Sequence, residues 1–69
     1  MSHLTTIINR VKHAEGVYKD DFEGMTRDLM FRQSVANLRE YQELWKDQTQ
    51  EEVVEANRLY SLYGQYERK

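Results

Sequence analysis

Two histidines, twelve acids, ten bases and no cysteine bound the chemistry open to this 69-residue sequence. Without Cys there are no disulfides, no thiolate zinc sites and no thiol nucleophile. His3 and His13 are ten residues apart, whereas a helical zinc pair needs steps of three or four. The acidic run from Asp20 to Asp28 shares only composition with an EF-hand. With Gly24 at the sixth loop position, Lys19 takes the first, where an Asp is required. Neither a metal nor a cofactor is expected. Ser2, Ser34 and Ser61 have no His within a recognisable motif, and no glycine loop follows a strand. A bundle of this length is also expected to leave little room for a ligand-sized pocket. No enzymatic activity is expected.

The aromatic residues are more informative. There are five Tyr, two Phe and one Trp. Tyr and Trp join a large apolar body to a polar tip, which is why they are enriched where proteins bind one another. Trp45, Tyr63 and Tyr66 are the candidates for a partner-binding surface. Tyr66 follows Gly64, where a fraying helix end would hold a core residue poorly. Direct nucleic-acid binding is not expected. The bases are scattered, the formal charge is −2, and a recognition helix starting at Thr49 would present Glu51, Glu52 and Glu55 to phosphates.

Helices must position these side chains. Zero Pro, three Gly and no Asn-Gly or Asp-Gly pair leave little turn chemistry for a β-domain. Leu4, Ile7, Ile8, Val11, Ala14 and Tyr18 recur at helical steps. The expected architecture is all-α, a small three-helix bundle forming one domain over residues 1–69. Its helices span about 3–18, 24–45 and 50–65 and pack antiparallel in sequence order. Ser2 is the expected first N-cap, and Gly16 a candidate C-terminal stop. Asp20 with Glu23 resembles a capping box. An alternative start at Thr26 pairs Met25 and Met30 as a hydrophobic staple. Thr49 with Glu52, just ahead of Val53 and Val54, is the clearest start signal. Arg68 and Lys69 suit the negative end of the last helix.

Charge is segregated. Residues 1–19 carry three Lys/Arg against one acid, residues 20–28 four acids against one Arg, and residues 47–57 four acids and no base. The acids suit the helix starts that they flank. A sharper reading is an acidic end of the bundle that steers a basic partner.

The second helix carries apolar residues on two faces, Phe22, Met25, Leu29, Ala36 and Leu44 opposite Met30, Phe31, Val35, Leu38, Tyr41 and Trp45. It is central, or kinked, or exposes one stripe to a partner. The third is also broad, with Leu59, Leu62 and Tyr66 beside Val53, Ala56, Tyr60 and Tyr63. Chains this small usually need a staple or an unusually good core. No apolar run is long enough to span a membrane, and residues 1–6 do not resemble a secretory signal. A cytoplasmic setting is therefore expected. The function expected is a non-enzymatic protein-protein interaction module, a regulator, adaptor or inhibitor of a larger protein. Phage-encoded host modulators are one class of such chains. The alternatives are a structural homo-oligomer, such as a homodimer that buries its extra stripe, and a subunit of a nucleic-acid-associated complex.

Overall fold

A computed structural model describes residues 3–67. The chain forms α1 (His3–Val17), α2 (Phe22–Arg27), α3 (Leu29–Leu44), α4 (Gln50–Tyr63) and a closing 3-10 turn (Gly64–Tyr66). Among the described residues there is no strand. The all-α bundle expected from the spacing is therefore observed, with α1, α3 and α4 as its three long members. Ser2, Arg68 and Lys69, assigned capping roles above, lie outside the described residues.

The expected helix over 24–45 is divided. Asp28 takes an extended conformation, φ −70° and ψ 121°, and caps α3 by accepting from the Met30 and Phe31 amides at 2.8 and 3.3 Å. No Gly or Pro marks the break. The Asp28 carboxylate satisfies two amides that would otherwise be orphaned at the helix start. The α2 cap is Asp21, which accepts from Gly24 N at 2.9 Å, one residue later than the Asp20–Glu23 pairing implied. The Met25–Met30 staple does not form, because Met25 is buried within α2 while Met30 stands exposed on α3. Gly16 lies inside α1 rather than beyond its end. The Thr49–Glu52 capping box is present in both directions.

Side-chain bonds fix the helix directions. Tyr18, just past the end of α1, donates to Asp28 at the start of α3 at 2.6 Å, and the His3 amide donates to the Tyr41 hydroxyl near the far end of α3 at 3.2 Å. Thus α1 and α3 are antiparallel. Thr5 donates to Glu52 and Tyr63 to Glu15, so α4 runs parallel to α1. Packed between the three helices, Leu4, Val11, Val35, Leu38, Ala56 and Leu59 expose no surface, and Phe31 and Met25 almost none. The central role expected for the second helix falls to α3, which packs on both α1 and α4. After α4, the 3-10 turn folds the chain back onto α3, where Arg32 Nε donates to the Tyr66 carbonyl at 3.0 Å.

Candidate functional site

The three candidate aromatic residues do not share one face. Trp45 caps the C-terminal end of α3 and is 58% exposed, tilted against Tyr41 at 6.3 Å between ring centroids. Tyr63 and Tyr66 lie toward the opposite end of α3. The Tyr63 ring meets the buried Phe31 edge-on at 5.2 Å, and its hydroxyl donates to Glu15. Burial, followed by the Glu15 carboxylate, pushes the Tyr63 hydroxyl up to about 12. Tyr66 meets Phe22 edge-on at 5.8 Å. Gly64 does not fray the end, because it stays right-handed and leads into the 3-10 turn that seats Tyr66 against the core.

No single acidic end exists either. The starts of α3 and α4 lie at opposite ends of the bundle, because the two helices are antiparallel. Several of their acids are also occupied. Asp28 serves Tyr18 and, after it, the α3 amides, which together hold its carboxyl below the usual range. Glu52 serves the Thr49 amide and the Thr5 hydroxyl. Glu55 accepts from Arg58 and pairs with Lys12 at 3.2 Å, and is pulled down to about 2, mainly by Arg58.

The most distinctive concavity lies between α1 and α3. One face of α1 lines it with Thr6, Arg10, His13 and Val17, and the start of α3 with Met30 and Ser34. Tyr18 and Asp28 close one end. It is an open groove of about 580 Å³ with a mainly apolar lining, so the bundle has more room than its length suggested. From Thr6 to Val17 the groove follows three turns of α1, roughly 16 Å at the helical rise. Its apolar lining combines Ala14 and the buried Phe31 with two exposed side chains, Val17 at 62% and Met30 at 70%. Half of the large exposed apolar residues belong to this end, while Leu44, Trp45 and Val54 lie at the other. Of the eight large ones, Val17, Phe22, Leu29 and Met30 all fall between residues 17 and 30.

No known family model, curated protein or solved structure matches this chain.

Arg10 stands out electrostatically. Arg27, Arg39 and Arg58 pair with carboxylates and Arg32 holds the Tyr66 carbonyl, whereas Arg10 alone among the described arginines has neither an ion pair nor a hydrogen bond. Among the described residues, no group of three or more His, Asp or Glu is arranged to hold a metal. No helix of the described chain is long and apolar enough to cross a membrane.

Aromatic content does not signal this groove. Its sequence signal is a second stripe on α1, Thr6, Arg10, His13 and Val17, at steps of four, three and four. Because that stripe begins polar, it reads as a solvated face. Its opposite wall comes from the start of α3, where Met30 stands exposed beside Phe31.

Proposed function

We propose that this chain is a small, non-enzymatic protein-protein interaction module, a regulator or adaptor that works in a cytoplasmic setting. It binds a larger protein through the apolar end where α1, α2 and α3 meet. The observation that carries this reading is that the core closes without Val17, Leu29 and Met30. All three remain more than 60% exposed while Leu4, Val11, Val35 and Leu38 are fully enclosed. Exposed apolar side chains clustered at one place, rather than scattered, characterise surfaces that are covered in a complex. Direct nucleic-acid binding is the less favoured reading, since the formal charge is −2 and the α4 start carries Glu51, Glu52 and Glu55.

The test compares the chain with Met30→Asp, an exposed position where a charge leaves the core untouched. Circular dichroism establishes equal folding, and sedimentation velocity establishes mass. A partner retained by the parent chain and lost by Met30→Asp supports the reading. A concentration-dependent dimer abolished by Met30→Asp would overturn it in favour of a homo-oligomer. Identical captured proteins for both chains would overturn it altogether.

A further inference from the structure

We infer that the α1–α3 groove receives an amphipathic helix of the partner protein, with the apolar edge of that helix between Val17 and Met30 and an acidic side chain against Arg10. This rests on the protein-interaction reading above and specifies its partner. Shape comes first. The groove is open along its length and follows α1 for about three turns. A compact ligand is normally enclosed on most of its surface, whereas a helix laid in a groove stays open on its outer side. The apolar contacts lie at one end, with Val17 on α1 facing Met30 on α3. A docking helix would therefore anchor there and extend toward Thr6.

Charge complementarity decides the sign of the partner. Along the groove face of α1 the charged side chain is Arg10, with His13 one turn further on. The carboxylate that shares the groove is Asp28. Its oxygens already accept from the Tyr18 hydroxyl and from the Met30 and Phe31 amides, and no ion pair joins it to Arg10. The remaining acid of α1, Glu15, accepts from Tyr63 of α4. Arg10 thus has an unfilled fork of donors beside an apolar trough. A carboxylate can fill that fork with two parallel hydrogen bonds. The same feature disfavours a basic amphipathic helix, which would bring like charge onto Arg10.

The experiment uses two stapled helical peptides of about 14 residues, long enough for the groove and preformed so that helix ordering does not obscure binding. Both carry Leu at positions i, i+3 and i+7. One carries Glu beside that edge and the other Lys. Binding to the full chain is read by fluorescence anisotropy at low and at physiological salt. The Glu peptide is expected to bind about tenfold more tightly than the Lys peptide at low salt, with the gap narrowing as salt screens the pair. Arg10→Glu should reverse the preference, and because Arg10 is exposed and unpaired the variant should fold as the parent does. Met30→Asp should weaken both peptides. Equal binding of the two peptides, or a preference that Arg10→Glu leaves unchanged, overturns the acidic-helix assignment while the broader reading still rests on partner capture and its loss in Met30→Asp. Saturable binding of decanoate that Met30→Asp abolishes, with neither peptide binding, would identify the groove as a site for small amphipathic anions and also overturn it.

Discussion

Individual side chains set the pH range of this bundle. Glu55 is drawn down to about 2 from its ordinary 4.5, chiefly by the hydrogen bond from Arg58, with burial opposing and Lys12 assisting. A depressed carboxyl contributes stability above its unfolded value and loses it as pH falls toward the folded value. That contribution is therefore complete above about 4.5 and fades toward about 2. Tyr63 is the alkaline counterpart, raised from 10.0 to about 12 by burial and then by Glu15. Its contribution is complete below 10.0 and is lost as pH rises toward 12. Thermal midpoints measured across pH should form a plateau with two shoulders. Glu55→Gln should soften the acid shoulder, and Tyr63→Phe the alkaline one. Shoulders unaltered by these substitutions would show that other groups govern both limits. Glycines give a second residue-scale contrast. A Cβ at Gly16 meets nothing within 4 Å, whereas a Cβ at Gly24 falls 2.3 Å from Asp21 Oδ2. Gly16 lies within a right-handed helix, so Gly16→Ala should stabilise by roughly 0.5–1 kcal/mol. Gly24→Ala must displace the Asp21 cap and should cost about 1 kcal/mol. Urea titration of the two variants should shift in opposite directions.

At the scale of elements, two acids act both as helix caps and as bonds between helices. Glu52 closes the α4 capping box with one oxygen and accepts from Thr5 of α1 with the other. Asp28 caps α3 and accepts from Tyr18 at the end of α1. The capping half of this arrangement is legible in the sequence for Thr49 and Glu52, because a box four residues long is purely local. The cap at Asp28 has a weaker signal, a lone Asp before the apolar run Leu29-Met30-Phe31, and with no Gly or Pro between Thr26 and Trp45 the spacing favours one continuous helix. The cap is reinforced by Tyr18, ten residues away, a partner that no local pattern contains. The expected consequence is an inequality. Thr49→Ala removes a cap hydrogen bond and should cost about 1 kcal/mol. Asp28→Ala removes a cap and the α1 connection together, leaving the Tyr18 hydroxyl without its acceptor, and should cost more, about 2 kcal/mol. Asp28→Asn keeps a capping oxygen and should recover most of the loss. Equal effects of the two alanine variants, measured by denaturant titration, would mean that the Tyr18 bond contributes nothing.

At the scale of the whole molecule, the question is whether so short a chain holds itself together or borrows stability from a second copy. The apolar spacing identified most of the core, with Leu4, Ile7, Ile8 and Val11 on α1 and Phe31, Val35 and Leu38 on α3 all buried. It could not sort the rest of the second helix, because which apolar face is left over depends on where α1 and α4 sit. Leu38 is fully enclosed, whereas Leu44, one and a half turns later, is 76% exposed. Truncating an enclosed leucine costs about 2–5 kcal/mol, and a single core of this size rarely supplies more than about 3–5 kcal/mol. Leu38→Ala should therefore leave little cooperative folding at room temperature, while Leu44→Ala should stay within about 0.5 kcal/mol of the parent chain. The same closed core makes a statement about assembly. If folding draws on one copy alone, the thermal midpoint is independent of protein concentration, because mass action enters only when a second molecule binds the folded state. We expect identical midpoints across a hundredfold dilution, and likewise for Met30→Asp. A midpoint that rises with concentration in the parent chain but not in Met30→Asp would mean that the apolar end already serves a second copy, leaving the groove no free face for another protein.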